Sequence, residues 1–246
     1  MTTSNKVWPT RSASGQTKFV ATALMKTRLK EFNPQKFSFH QDPVLILEDF
    51  WSKEERNMFL EVTHKAEWKK RSEIQATELA FPNCGDWLKA QISPNEANRL
   101  LDRMALPCIA NYVESFPRIK SRHISFSYYS YGAGDCLSTH DDTDEDYTKL
   151  DIQLGNESPP QRRIAAVSYF HNEWEPDWGG ELIVYNSQNK KDGQVRLEIT
   201  HCLEPKPGSI VFFTVPRFHR VCRVDPLANE HRRMSIAGWF MTEHYS

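Results

Sequence analysis

The stretch HISFSYYSY, residues 123–131, alternates apolar and polar side chains. This period of two is typical of a β-strand with one buried face. Six more short runs rich in β-branched and aromatic residues follow, and clusters of Gly, Pro, Asn and Asp separate them. They are IAAVSYFH (164–171), GELIVYNS (180–187), VRLEIT (195–200), SIVFFTV (209–215), HRVCRVD (219–225) and RRMSIAGWF (232–240). Several short strands with regular turns predict a β-sandwich or barrel.

The chain ahead of this region has a different pattern. Residues 1–18 are polar and rich in Ser and Thr, which predicts a loose N-terminal tail. The segment PVLILEDF (43–50) predicts a strand that leads into a helix, and Ser52 and Glu55 form a capping-box pattern at the start of that helix.

A second helix is predicted to begin at Ser93, with the same capping pattern and with Pro94 at its first position. Its apolar stripe continues to Tyr112, and Pro107 is expected to kink it. Neither helix carries a reactive group, so we interpret both as packing elements. The predicted organisation is helical support over 19–118 followed by a β core over 119–242.

Composition excludes several classes of protein. The chain has 31 Lys and Arg against 32 Asp and Glu, a net charge of -1, so no nucleic-acid partner is expected. No apolar run approaches the roughly 20 residues of a membrane span, and the N-terminus lacks the apolar core of a signal peptide. A cytoplasmic location is therefore expected, with the five cysteines as reduced thiols because none forms a CxxC pair. The sequence does not indicate an oligomeric state.

The sequence STHDD (138–142) contains the densest group of candidate metal ligands. Residues i and i+2 of a strand share a face, so His140 and Asp142 can point at one metal ion. His219 is the best candidate for a third ligand, on an opposite strand of the barrel. Two His and one carboxylate form the facial triad of non-haem Fe(II) oxygenases. A catalytic zinc with a bound water is the alternative that these ligand types leave open.

The closing strand carries a candidate anion site. Arg233 and Ser235 are two positions apart, so they face the same side of a strand. An Arg can hold a carboxylate through paired, charged hydrogen bonds, and a Ser hydroxyl can add another. Arg233 stands at the start of a largely apolar strand, where its charge would need a buried anion as a partner.

Residues 119–242 resemble the prolyl 4-hydroxylase-like branch of the Fe(II)/2-oxoglutarate oxygenases. The features that carry the resemblance occur in the family's order. They are Tyr131-Gly132, the pair His140 and Asp142, Tyr169 within RRIAAVSYFHNEW (162–174), Leu182 within a Gly-Gly-x-Leu element, Val221 beside His219, and Arg233, Ser235 and Trp239 in the closing strand.

The resemblance implies a mainly β fold with supporting α-helices, the double-stranded β-helix (a cupin-like jelly roll), in one oxygenase domain over 19–246. It implies that His140, Asp142 and His219 are the catalytic residues and hold Fe(II). It also implies six residues that bind the co-substrate 2-oxoglutarate, namely Arg233, Tyr169, Tyr131, Ser235, Leu182 and Val221. O2 is the second co-substrate, and ascorbate (vitamin C) is an expected accessory.

The implied activity is hydroxylation of an unactivated C–H bond, with release of succinate and CO2, on a prolyl residue of a protein or peptide. The same chemistry on a free amino acid or secondary metabolite is also compatible with these residues. So are a cupin-like metalloprotein without oxo-acid turnover and a non-catalytic binding module.

Two further features concern the substrate. The insert 143–161 is longer than in short family members, and a long loop is often functional. The acidic run Asp141–Asp146 would favour a basic peptide or amine. Five residues near the matched elements are expected at the mouth of the site: Tyr129, His171, Trp174, Trp178 and Arg217.

Overall fold

The computed structural model describes residues 10–11, 17–18, 44–114, 116, 119–143, 161–189 and 195–242. Within the predicted tail, two short strands, β1 (Thr10–Arg11) and β2 (Thr17–Lys18), pair antiparallel. Two predicted segments lie outside the described residues: the rest of that tail, and the long insert from 144 to 160. The insert includes residues 144–146 of the acidic run.

Four α-helices occur in the described residues: α1 (Lys53–Thr63), α2 (Gln75–Ala80), α3 (Pro94–Met104) and α4 (Pro107–Glu114). The strands that follow β2 are β3 (Leu45–Leu47), β4 (Lys69–Lys70), β5 (Leu88–Gln91), β6 (Ile119–Tyr131), β7 (Leu137–His140), β8 (Arg162–Tyr169), β9 (Leu182–Asn189), β10 (Val195–Leu203), β11 (Ile210–Thr214), β12 (His219–Val221) and β13 (Arg233–Thr242). Each of the seven strand-like runs predicted from the sequence therefore contains a strand.

Strands β3 to β13 form two sheets. The larger sheet has the order β3-β11-β8-β13-β6-β5-β4, and the smaller has the order β10-β9-β12-β7. All pairings within them are antiparallel. This is a mainly β architecture, as the sequence predicted.

The larger sheet lies between two apolar cores, and the side chains of β8 point alternately into one and the other. Ala165 and Tyr169 face the smaller sheet, where they pack with Leu182 and other residues. Ile164 and Ala166 face the opposite way and pack in the core that includes the helices. The helices therefore cover one face of the larger sheet, and the smaller sheet packs against its other face.

The first predicted cap is confirmed and the second is not. The Glu55 amide donates to Ser52 Oγ at 3.2 Å, and the Ser52 amide donates to the Glu55 carboxylate at 2.9 Å. The Ser93 hydroxyl instead donates to the side chain of Glu96 and caps no backbone amide.

The predicted kink at Pro107 is a complete break between α3 and α4. Proline lacks the amide hydrogen that would continue α3, and its ring clashes with the preceding turn. Pro107 instead occupies the first position of α4, where the missing hydrogen costs nothing. In the part of the chain that is described, no helix is long and apolar enough to cross a membrane.

Candidate metal centre and adjoining pocket

Two histidines meet where β7 and β12 pair. His140 ends β7, His219 begins β12, and the two residues are direct partners in the register. Their ring centroids are 4.2 Å apart. The prediction that His219 lies on an opposite strand was wrong, because β7 and β12 are hydrogen-bonded neighbours in the smaller sheet.

Asp142 completes the cluster by a route that differs from the predicted one. The strand ends at His140, so Asp142 does not share a strand face with it. The backbone of Asp142 adopts φ 63°, in the left-handed region that few residues other than glycine occupy. Its Oδ1 lies 3.2 Å from His140 Nε2, and its Oδ2 lies 3.4 Å from His219 Nε2.

The geometry fits a metal ion. The three candidate ligand atoms all lie within 4.8 Å of one another. His140 Nδ1 lies 2.8 Å from the Ser138 carbonyl, and His219 Nδ1 lies 2.8 Å from the Arg217 carbonyl. Donation to these carbonyls fixes the tautomer with the lone pair on Nε2, an arrangement typical of metal-binding histidines.

The electrostatics also favour a cation. Burial opposes ionisation of Asp142, but His219 and His140 outweigh it and hold the pKa of the carboxyl far below its usual range. Burial lowers the pKa of His219 to about 4. Burial also opposes protonation of His140, but Asp142 outweighs it and raises the pKa of that imidazole. At neutral pH, Asp142 is therefore ionised and His219 is neutral, which are the states that a metal ion requires of such ligands.

A cavity of about 570 Å³ opens beside this cluster. Four side chains of β13 at alternate positions line one wall of it: Arg233, Ser235, Ala237 and Trp239. Tyr131, Leu182 and Val221, which the resemblance assigned to a co-substrate pocket, line it as well.

Arg233 is the buried cation of this cavity. Its side chain is 2% exposed, and its guanidinium carbon lies 4.8 Å from the Tyr169 ring centroid and 5.4 Å from that of Tyr131. Nη2 donates to the Tyr169 hydroxyl at 3.0 Å, whereas Nε has no hydrogen-bond partner in the described part of the chain. Among the described residues, no carboxylate lies within ion-pair distance of Arg233. A buried guanidinium with an unsatisfied N–H fits the carboxylate of a bound ligand.

The neighbours of Arg233 are uncharged donors. Ser235 is 1% exposed and pairs in register with Tyr169. Burial raises the pKa of Tyr131 and of Tyr129, so both keep their hydroxyl protons at neutral pH. An anion in the cavity would meet hydrogen-bond donors at this end.

Of the five residues expected at the mouth, only Tyr129 lines the cavity. His171 is buried against the carbonyls of Pro205 and Met234. Arg217 donates to the Tyr185 carbonyl. Trp174 and Trp178 pack against each other, with ring centroids 5.4 Å apart, and neither lines the cavity.

Sequence reasoning missed several lining residues. Phe81, which follows α2, lies with its ring centroid 5.0 Å from that of His140. Trp87 stacks on Tyr131 at 5.5 Å, and Lys89 and Arg162 add two cations. The segment around Phe81 and Trp87 has no periodic signal, so only its position in the fold identifies it.

The comparisons with known proteins show what the region that holds this site is similar to. Residues 125–241 match the 2OG-Fe(II) oxygenase superfamily. Prolyl 3-hydroxylase OGFOD1 of Mus musculus is 33% identical over 119 residues, which are 48% of this chain and 18% of that protein. An uncharacterized PKHD-type hydroxylase of Synechocystis is 30% identical over 95 residues, 38% of this chain and 31% of that protein.

Solved structures show the same fold at low identity. A prolyl-4-hydroxylase of Pseudomonas putida aligns with a TM-score of 0.53 and 17% identity over 81% of this chain and 92% of that one. A prolyl hydroxylase of Trichoplax adhaerens, in complex with a hypoxia inducible factor peptide, aligns with a TM-score of 0.56 and 13% identity over 88% and 91%. The fold is therefore the double-stranded β-helix that the resemblance implied.

Residues 125–241 are thus similar to the 2OG-Fe(II) oxygenase superfamily, and the proteins that share this similarity include prolyl hydroxylases. The matched region spans only about a fifth to a third of the two curated relatives, 18% and 31% of their lengths.

Proposed function

We propose that this protein is an Fe(II)- and 2-oxoglutarate-dependent dioxygenase that hydroxylates an unactivated C–H bond and releases succinate and CO2. One observation carries the proposal. The cavity that holds the His140–Asp142–His219 cluster also holds the buried Arg233, whose Nε lacks a partner. A metal site needs the first feature, and an anionic co-substrate would satisfy the second.

The three clustered residues would hold the iron. When bound there, Fe(II) would supply the activation of O2 that couples decarboxylation of 2-oxoglutarate to hydroxylation. Two imidazoles and one carboxylate cover one side of an octahedral ion and leave the other positions for co-substrates. The protein's own task is to present the Nε2 lone pairs of His219 and His140, and the backbone carbonyls of Arg217 and Ser138 support that tautomer by accepting from Nδ1.

The opposite end of the cavity would bind the far carboxylate of 2-oxoglutarate. Arg233 would donate to it from Nε and its neighbouring nitrogens, and Tyr169 would keep the guanidinium oriented. Ser235 would add a hydroxyl donor, Tyr131 would flank the carboxylate, and Leu182 and Val221 would form apolar walls. A cupin-like protein without an oxo acid would have no use for this buried cation.

We propose a prolyl residue of a protein or peptide as the substrate. The names of the relatives support this: one is a prolyl 3-hydroxylase, one is a prolyl-4-hydroxylase, and one is a prolyl hydroxylase in complex with a peptide. The 3- and 4-hydroxylases differ in the carbon they oxidise, so the names do not select one. Aromatic Phe81 and Trp87 at the cavity would pack against a pyrrolidine ring. A need for ascorbate and a cytoplasmic location stay predictions.

The first test is an anaerobic titration of the purified protein with Fe(II) and 2-oxoglutarate. The weak visible charge-transfer band of an iron–oxo acid chelate is expected in the wild type and absent in His219→Ala. His201→Ala, on β10 outside the cavity, is the matched control and should keep the band. Iron-loaded wild type without any band would refute the oxo-acid proposal.

The second test addresses the substrate. Aerobic incubation with peptides that contain or lack proline should give succinate and a mass gain of one oxygen only where proline is present. Oxidation of free amino acids or metabolites instead would keep the chemistry and refute the prolyl assignment.

A further inference from the structure

The carboxylate of Asp142 has a third partner besides the two histidines. The indole Nε1 of Trp239 donates to Asp142 Oδ2 at 2.8 Å. This is shorter than the contacts of 3.2 and 3.4 Å that the two imidazoles make with the carboxylate. This hydrogen bond joins Trp239, in the closing strand of the larger sheet, to Asp142, which comes just after strand β7 of the smaller sheet.

Asp142 needs such a contact because strand pairing does not orient it. The residue lies beyond the end of β7 with φ 63°, so no ladder hydrogen bond fixes the direction of its side chain. His140 and His219 cannot serve once a metal is bound, because the lone pairs that now face the carboxylate would then face the ion. An indole N–H is only a donor and cannot ligate a metal, so the Trp239 contact can persist.

Arg162 fixes both partners of this contact. Its guanidinium carbon lies 3.9 Å from the centroid of the Trp239 ring, a close cation–π stack. Its Nη1 donates to the backbone carbonyl of Asp142 at 3.3 Å. The side chain of Asp142 is thus held by Trp239 and its backbone by Arg162, and both of these residues belong to the larger sheet.

We propose that Trp239 is a positioning residue for the metal ligand. Its N–H occupies Oδ2 of Asp142, so Oδ1 would be the carboxylate oxygen available to a metal ion. Oδ2 would stay hydrogen-bonded to Trp239 and would not compete with a co-substrate for the metal. This inference rests on the proposed metal site, and it goes beyond that site by assigning a role to a residue outside the three candidate ligands.

The test measures metal binding rather than turnover. Co(II) is titrated into wild type, Trp239→Phe and Trp68→Phe. Trp68 lies far from the site and also donates its indole N–H, to the Thr63 carbonyl at 2.9 Å. Trp68→Phe is therefore the matched control, because it too loses one indole hydrogen bond. Loss of an outer partner of a metal ligand typically weakens metal binding by about 10- to 100-fold.

We expect Trp239→Phe to raise the Co(II) Kd by about 10-fold or more and to change the visible Co(II) spectrum. Trp68→Phe should bind like wild type, and both variants should lose similar thermal stability without metal. An unchanged Kd and spectrum in Trp239→Phe would overturn this inference and leave the proposed function intact. A wild type that binds no metal would overturn both.

A measurement on the wild type covers the case in which the variant fails to fold. The indole nitrogens of the seven tryptophans are labelled with ¹⁵N, and Co(II) identifies the indole signal closest to the metal. With Zn(II) bound, that N–H should exchange slowly with solvent because it stays hydrogen-bonded to Asp142. Fast exchange of that proton would contradict the inference.

Discussion

Arg233 and Asp142 illustrate how single residues define the chemistry of this protein. Asp142 is a carboxylate whose pKa is held far below its usual range, largely by His219 and His140 in spite of burial. Arg233 is a buried cation whose Nη2 donates to the Tyr169 hydroxyl and whose Nε has no hydrogen-bond partner among the described residues. Each group is costly to bury without a counter-ion, and each cost would be offset by a ligand of opposite charge.

Substitution of Arg233 should mainly weaken co-substrate binding. Hydrogen bonds to charged groups contribute about 1.5–3 kcal/mol, so Arg233→Gln should raise the KM for 2-oxoglutarate roughly 10- to 100-fold. The kcat should change less, because Arg233 binds the end of the oxo acid that does not react. Succinate formation at varied 2-oxoglutarate concentration measures both constants.

The neighbouring Arg232 provides the control for that experiment. It donates to Ser130 and does not line the cavity, so Arg232→Gln should leave the KM for 2-oxoglutarate close to that of wild type. An unchanged KM in Arg233→Gln, or an equal rise in both variants, would show that Arg233 does not bind the co-substrate.

Strand β13 is the element that organises the site. It lies between β8 and β6 in the larger sheet, so both of its edges are paired. Its alternate residues from Arg233 to Trp239 line the cavity, whereas Ile236 and Phe240 pack in the core beside the helices. One strand thus carries both the anion site and the indole that contacts Asp142.

The close approach of β13 to β6 depends on Gly238. A Cβ at this position would lie 1.8 Å from the backbone carbonyl oxygen of Ser125, which cannot move without breaking the sheet. Gly238→Ala should therefore lower the free energy of unfolding by at least about 2 kcal/mol. Urea denaturation followed by circular dichroism measures this change.

Gly134→Ala separates steric overlap from backbone strain. Gly134 has φ +87° but nothing within 4 Å of an added Cβ, so its substitution should cost only about 1 kcal/mol from the left-handed backbone. If Gly238→Ala is no more destabilising than Gly134→Ala, the strands can separate more easily than their contact indicates.

At the scale of the whole molecule, the site exists only because the two sheets pack face to face. The two histidines belong to the smaller sheet, while Arg233 and Trp239 belong to the larger one. His171 helps to hold the larger sheet together, because it follows β8 and lies 2.7 Å from the Pro205 carbonyl through Nε2. Its Nδ1 accepts from the Met234 amide of β13 at 3.2 Å.

The environment of His171 should make stability depend on pH. Burial lowers its pKa from 6.5 to about 4, and the nearby cations Arg233 and Arg56 act in the same direction. The unfolded chain therefore takes up this proton first as the pH falls, so stability is lost between about 6.5 and 4. Wild type should be roughly 2 kcal/mol less stable at pH 5 than at pH 7 from this group alone.

The comparison of two variants isolates that contribution. His171→Asn should be less stable than wild type at pH 7 but should lose less stability on acidification to pH 5. His64→Asn, at an exposed position after α1, should keep the pH dependence of wild type. Urea denaturation at both pH values gives the comparison, and identical slopes in wild type and His171→Asn would contradict the assignment.

Much of this molecule follows from local patterns in the sequence. The alternation in HISFSYYSY and RRMSIAGWF predicts strands β6 and β13, because successive side chains of a strand point to opposite faces. The same rule correctly puts Arg233 and Ser235 on one face. Residue types alone suggest two imidazoles and a carboxylate for a metal, and Ser52 with Glu55 predicts the cap of α1. Backbone geometry over a few residues is enough for each of these.

The tertiary structure decided the rest, because pairing between distant segments depends on the packing of the whole chain. Local periodicity does not show that β7 and β12 are neighbours, or that Asp142 reaches the cluster through a left-handed backbone after its strand has ended. It also does not show that Trp239 meets Asp142 across 97 positions of sequence. The sequence determined which groups are available for chemistry, and the packing of two sheets determined which of them meet.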